Sequence, residues 1–500
     1  MKRTFIILVS ISTVLLISTT NLSQGQTLGN GLDINTPSES IATPRPINPA
    51  AGTTNPSARA TQTLNPYLGS TPDPALVPGV LQLSLEDAVA RGLKYNLGLI
   101  DSQQSDAGVR AQRRRALSLL LPQISARAQE TFQQLSYQQL GLKLPADAGF
   151  QLPPSSGAFG YSEARIVAQS AIVNMELLNR YKSQKILEAA SALSTKDSRD
   201  VVTFAVGSAF FQVVASQARL DTTDAALSSA QELQRQVADQ YNAELSPEID
   251  SIRAQVELKT AEQRVVDATN DLEKDKLTLD RITGLSLQQA WTPSHVYPYT
   301  PVVDLDAASS PISQTRSDLA SIKMTVSAAQ FEVKAAKAER MPVVSFEADY
   351  GGAGTNPAKF TQVYTVTGGV SVPLFTSGRI RSDVGEAQSA LVQKRAEYRD
   401  LQGRVEYDRQ VAMLDVKSSE SAVKVAATND ALAQRALTQS QDRFQNGVTN
   451  YLEVVQAEAT LVAAKENSIA SLFSYNVAKI SLARALGSTE SRLPALFNTK

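Results

Sequence analysis

The 500-residue chain has no cysteine and one histidine, His295. Without thiols it forms no disulfides and offers no cysteine for lipid attachment near its N-terminus. A single histidine removes most metal-site and histidine-base chemistry, and neither metal-ligand spacing nor a nucleophile with a base partner occurs. A catalytic site and a cofactor are therefore not expected. The formal net charge is −1, which supplies no basic field to attract nucleic acid. Beyond the N-terminus, no apolar stretch is expected to span a bilayer as a helix, which takes ~18–20 residues.

The N-terminus itself is ordered as basic, apolar, then small and polar. Lys2 and Arg3 precede an apolar run from Phe5 to Ile17. That order is expected of a secretory signal peptide over 1–25, with an uncleaved anchor as the other reading. Residues 26–82 follow as a linker rich in Pro, Ser and Thr. Nine of the chain's 22 prolines lie within 27–80, with almost no aromatic residues. Such a segment buries too little apolar surface to offset its ordering entropy, so it is expected to be extended or disordered. A strap lying on the folded body is the alternative.

From Leu83 onward, Ala, Leu, Gln, Glu, Lys and Arg dominate long stretches without Pro and with few Gly, which favours helix. Residues 180–242 and 379–446 each read as one helix. At ~1.5 Å per residue each would reach roughly 90–100 Å. Their sparse, often small apolar residues (Ala387, Ala390, Leu391, Ala396) suit helix-on-helix packing in a coiled coil or hollow bundle.

Two short regions alternate instead with period two. Val344, Phe346, Ala348 and Tyr350 share one face, as do Tyr364, Val366, Val370 and Val372, with a turn read over Gly351–Pro357. An earlier region sets Ile124, Ala126 and Ala128 against Ser125, Arg127 and Gln129, with a return strand at about 162–175 carrying Ile166, Ala168 and Ile172. Each pair reads as a hairpin with one apolar and one polar face. The glycine-rich Gly351–Gly354 is expected at a hairpin tip, since no helix follows it to cradle a phosphate. Arg113-Arg114-Arg115 reads as a solvated helix face, with lipid headgroup contact as the alternative.

The chain also repeats itself. Asn96-Leu97-Gly98-Leu99 precedes Pro122 by the same 26 positions that separate Arg316-Ser317-Asp318-Leu319 from Pro342. Tyr241 to Ala254 matches Phe444 to Ala457, and Arg281-Ile282-Thr283-Gly284 matches Arg484-Ala485-Leu486-Gly487, both at an offset of 203. The expected organisation is a first repeat over 83–284, a connector over 285–315, a second repeat over 316–487 and a tail over 488–500. The connector holds Trp291, Pro293, His295 and Pro298. The fold class expected is mainly α with a small β part: long helical hairpins forming an α-barrel, plus four strands per protomer. Four strands cannot close a cylinder in lipid, where every backbone polar group must be paired and barrels start at about eight strands. Several protomers must then share one barrel.

The quartet-and-proline element, Pro373-Leu374-Phe375-Thr376-Ser377-Gly378-Arg379, and the run Phe444 to Ala457 resemble the outer membrane factor (TolC) family. The likeness covers about 83–487. It implies a homotrimer with a shared twelve-stranded barrel in the outer membrane and an α-helical tunnel in the periplasm. It further implies a periplasmic adaptor and an inner-membrane transporter as partners, in efflux or secretion. A periplasmic helical adaptor or scaffold that never inserts is the alternative.

The resemblance also assigns candidate residues at the helix–helix turns near 244–250 and 447–453. Of two acidic positions forming a ring in the family, Glu453 keeps its charge and Gln456 has lost it. A tyrosine–arginine lock falls on Phe444 and Thr449, while Asp250 keeps its aspartate. Closure is thus expected to rest on packing of Phe444 and Leu452. The other reading of Glu453 and Asp250 is a carboxylate at a helix start, favoured by the dipole. Gly447 is expected to end a helix with positive φ and Pro247 to open one. With Glu244 they are candidates for adaptor docking. Pro122, Pro342 and Pro373 mark entry to the strands.

Overall fold

A computed structural model describes residues 65–73, 78–137, 153–244, 246–294, 298–301 and 316–497. The signal-peptide reading over 1–25, most of the 26–82 linker, His295, most of the connector and residues 498–500 lie outside the described residues.

The fold is mainly helical with a small β part. In chain order the elements are β1 (Leu81–Leu83), α1 (Leu85–Tyr95), α2 (Leu97–Ser118), β2 (Gln123–Ser136), β3 (Ser155–Val173), α3 (Met175–Asn242) and α4 (Glu248–Thr283). They continue as β4 (Trp291–Pro293), α5 (Ser317–Ala338), β5 (Val343–Gly354), β6 (Thr361–Ser371), α6 (Arg379–Gln445), α7 (Tyr451–Ala485) and α8 (Thr489–Phe497). The order helix, hairpin, long helix, helix occurs twice. Its helices have 22, 68 and 36 residues the first time and 22, 67 and 35 the second. At 1.5 Å per residue, α3 and α6 each run about 100 Å.

The long helices stay continuous because they pack along a narrow seam. In α6 the buried residues Val405, Ala412, Ala426, Ala433 and Ser440 lie at multiples of seven, and Val416, Val423, Leu437 and Phe444 form a second row. A sustained seven-residue repeat keeps one stripe facing a partner helix as in a coiled coil. The opposite faces stay exposed, with Val392, Tyr407, Leu414, Val425 and Leu432 at the surface of α6.

The largest core cluster lies where α1, α3, α4 and α8 meet, around Leu85, Val202, Val206, Phe210, Phe211, Leu279, Ile282, Trp291 and Phe497. One sequence expectation is corrected there. By length and composition α3 is apolar enough to cross a bilayer, yet more than half of that stretch is buried in protein. Its apolarity serves helix packing: Val206 fills the notch at Gly92 and Ile480 fills the one at Gly207, where an added Cβ would come within 2.5 Å and 2.8 Å.

The same cluster pins the described part of the linker. Tyr67 lies on Gly98 and its hydroxyl is 3.2 Å from Ser198 Oγ. Thr71 N and Asp73 N donate to Tyr95 O and Gly284 O, and β1 pairs in parallel with β4. Residues 65–73 and 78–83 are thus strapped onto the helices. The repeated quartets anchor helix starts. Asn96 caps α2 with its side-chain oxygen on Gly98 N and gives its amide to Tyr67 O at 2.7 Å. In the second copy Arg316 holds Asp318 and Asp408. Each copy closes on a left-handed glycine, Gly284 (φ +71°) and Gly487 (φ +70°), pressed against Tyr95 and Arg316.

Candidate functional site

Two regions carry functional potential: the four-stranded sheet and the turns at the far ends of the long helices.

The sheet has the order β2-β3-β5-β6, antiparallel throughout. Its register decides the chemistry of its faces. Ile124 stands opposite Ala168, Ala126 opposite Ile166, Ile166 opposite Tyr350, and Tyr350 opposite Tyr364. Because the side-chain period is two, all the apolar rows fall on one face. Those residues are open to the surroundings: Ile124, Phe132, Ile166, Tyr364, Val366 and Val370 are among the most exposed large hydrophobics of the chain. The other face is polar, with Arg165 bridging Asp349 at 2.8 Å and Glu163 at 3.0 Å. Among the described residues β2 and β6 pair on one side only, leaving two open edges.

Two boundaries differ from the sequence reading. β3 begins at Ser155, some seven residues before the expected strand. Gly157 and Gly160 hide the alternation there, but β2 supplies partners as far as Ser136. The glycines Gly351–Gly354 lie inside β5 and not at the hairpin tip, which falls at 355–360. Gly351 is there because a Cβ would come within 2.0 Å of Ala164 O on β3; Gly352 accommodates the Phe360 ring. Pro122 and Pro342 stand one residue before β2 and β5, and Pro373 two after β6. A residue without an N–H belongs outside the ladder in that way.

At the helical turns, one apolar cluster joins Leu233 and Val237 of α3, Ala254 of α4, Leu437 and Phe444 of α6, and Tyr451, Val454 and Leu461 of α7. The two turns are thereby held together. Phe444 meets Tyr451 edge-on, with ring centroids 6.5 Å apart. Leu452 is 55% exposed, while Phe444 is buried against Tyr451.

The acidic candidates are each engaged. Glu453 occupies the first turn of α7, where Asn450 caps its backbone N–H. Its carboxylate is 2.9 Å from Arg443 Nη1 and accepts a hydrogen bond from Thr449 Oγ1. Asp250, in the first turn of α4, pairs with Arg253 at 3.2 Å. Gln456 is exposed on α7. Gly447 ends α6 with φ +69°, and Val448 N closes back on Arg443 O. Pro247 is the residue just before α4. Glu244, the counterpart of Gly447 at the offset of 203, holds φ +59° without being glycine.

Sequence reasoning missed the buried charge behind this turn. Glu458 lies on the same stripe as Val454 and Leu461, 9% exposed, with Oε1 lacking a hydrogen-bond partner. Burial raises its pKa to about 7, Glu257 pushes it the same way, and Arg264 opposes. Burial also raises the Tyr451 hydroxyl to about 12, reinforced by Glu257, Glu458 and Asp250. The available signal was a glutamate at an a/d-type position, seven residues after Tyr451.

A family profile described as outer membrane efflux protein matches residues 309–488. The chain is 25% identical over 242 residues to the outer membrane efflux protein BepC of Brucella suis, covering 48% of this chain and 52% of that relative. It is 24% identical over 195 residues to the cation efflux system protein CusC of Escherichia coli, covering 36% and 40%. The chain thus spans about half the length, or less, of the curated relatives it matches. Among solved structures, the outer membrane protein VceC of Vibrio cholerae is similar at a TM-score of 0.70 with 17% identity, covering 81% of this chain and 97% of that one. The CmeC outer membrane channel of Campylobacter jejuni gives 0.70 with 16% identity, covering 85% and 92%. The chain is thus similar to outer membrane efflux proteins over residues 309–488, and with its repeated helix–hairpin order and its one-face-apolar sheet it shares the fold of these solved outer membrane channels.

Proposed function

We propose that the protein is a passive outer-membrane channel, a homotrimer that serves as the exit duct of a tripartite efflux pump or type I secretion system. The observation that carries this reading is the sheet. It exposes a continuous apolar face, while its two outer edges have no partner among the described residues. In lipid an open edge costs several kcal/mol per unpaired group, so three copies closing a twelve-stranded barrel satisfies both features. The polar face with Arg165, Glu163 and Asp349 would then line water.

Helices of about 100 Å exceed the bilayer thickness several-fold and would project into the periplasm as a tunnel. The exposed apolar rows of α4 and α6, including Ile252, Val256, Leu414 and Val425, suit contact with neighbouring copies. The repeats 83–284 and 316–487 are read as a duplication joined by the connector 285–315. The turns with Gly447, Glu244 and Pro247 suit docking of an adaptor, with an inner-membrane transporter supplying the energy. A periplasmic scaffold would have no use for the exposed apolar sheet face.

Fractionation and planar-bilayer recording test the reading. The purified protein should come from the outer membrane as an oligomer and conduct ions. A soluble monomer without conductance would refute it.

A further inference from the structure

The register brings all four strand–helix junctions to one end of the sheet, because Gln123 stands opposite Gln169, Val173 opposite Val344, and Val343 opposite Ser371. That end is unusual in two respects. It exposes Leu119, Leu121, Met175 and Met341, and above all Leu374 and Phe375, which are 94% and 87% exposed. Next to these apolar groups stand five exposed cations whose side chains make no ion pair among the described residues: Arg114 and Arg115 near the end of α2, Lys337 and Arg340 at the end of α5, and Arg381 in the first turn of α6.

Four carboxylates around the collar are already engaged, and Glu332 and Glu386, further along α5 and α6, are outnumbered by the five cations. Glu176 is held by Arg180, Glu339 by Arg180 and Arg379, Asp383 by Arg379, and Glu188 by Arg113. The collar therefore presents an uncompensated positive charge. Cations near the ends of α2 and α5 gain from the helix dipole, but that does not account for Arg381. It stands in the first turn of α6, where the dipole disfavours a cation and no acidic residue offsets it.

We propose that this collar binds the anionic headgroups of phospholipids in the leaflet facing the helices. Guanidinium groups match phosphate oxygens bidentately, and Leu374 and Phe375 are placed to enter the acyl region beside them, as apolar groups do at a membrane interface. The proposal rests on the reading that the sheet spans the membrane, and it adds a lipid class that this reading does not require.

The test is native mass spectrometry of the full chain with phosphatidylglycerol or phosphatidylcholine, beside planar-bilayer conductance in phosphatidylcholine alone. The wild type should retain phosphatidylglycerol preferentially, the more so at low salt. The triple variant Arg115→Gln, Arg340→Gln, Arg381→Gln should lose that preference by roughly ten-fold or more while keeping its circular dichroism spectrum. Equal retention of both lipids by the wild type overturns the proposal. So does an unchanged preference in the variant, or a variant that dissociates with its preference intact, since the cations would then serve contacts between copies. Conductance without lipid preference removes the collar alone; loss of conductance removes the spanning reading beneath it.

Discussion

Glu458 offers the most direct test of the interior of the helical turns. Its carboxyl is held at about 7 instead of 4.5, a difference that corresponds to about 3 kcal/mol per chain. Below pH 4.5 the group is neutral in both folded and unfolded chains and does not affect stability. Between 4.5 and 7 only the unfolded chain ionises, so stability falls as pH rises. Above 7 the loss is complete. Glu458→Gln keeps the shape and removes the charge, so the variant should match the wild type near pH 4 and exceed it at pH 8. The expected gain is about 1–3 kcal/mol, the lower figure allowing for the amide that must find partners beside the Glu257–Arg264 pair. Denaturant titration followed by circular dichroism at pH 4, 6 and 8 measures it. Asp280 also titrates in this range, so the informative quantity is the difference between variant and wild type. If that difference is the same at all three pH values, the carboxyl is not held neutral and the account of the turn is wrong.

At the first turn, Glu244→Gly should stabilise the chain by about 0.5–1 kcal/mol in the same titration, because a left-handed backbone strains any residue with a Cβ; destabilisation would show that the glutamate side chain earns its place by contact. Trp291, the only tryptophan, donates to Asp280 Oδ1 at 2.8 Å, and burial raises that carboxyl to about 7. Its fluorescence should therefore change with a midpoint near pH 7, and a trace flat from pH 5 to 8 would contradict the pairing. In bilayer recordings Arg443→Gln should raise cation preference by freeing Glu453, whereas Glu453→Gln should lower it less than an unpaired carboxylate would. Unchanged reversal potentials in both would mean that this pair does not face the pore.

Much of the fold was legible because periodicity survives without tertiary context. The readings 180–242 and 379–446 lie close to α3 and α6, since long runs of strong helix formers and the lack of Pro act locally. The alternation at 343–350 and 364–372 fell within or just past β5 and β6 for the same reason. Glycine misled in both hairpins. Gly160 and Gly351 suggest turns when read alone, but they lie in strands where a neighbouring ring or backbone comes close. Close approach is a property of the pair of strands and leaves no mark on either one.

The site residues divide along the same line. The repeat offset together with the family resemblance was enough to put Glu453, Asp250, Gly447 and Phe444 at the two turns. Which arginine each carboxylate meets, and that Phe444 packs on Tyr451 while Leu452 faces outward, depended on how four helices converge. The sequence by itself determined the elements, their order and the two-sidedness of each strand, because those follow from local propensity and spacing. Only the tertiary structure decided that the apolar rows of four strands align on one face, that Glu458 is buried with Oε1 unpartnered among the described residues, and that uncompensated cations gather at one end of the sheet. Register and burial arise from contacts between residues far apart in the chain, and no local pattern encodes them.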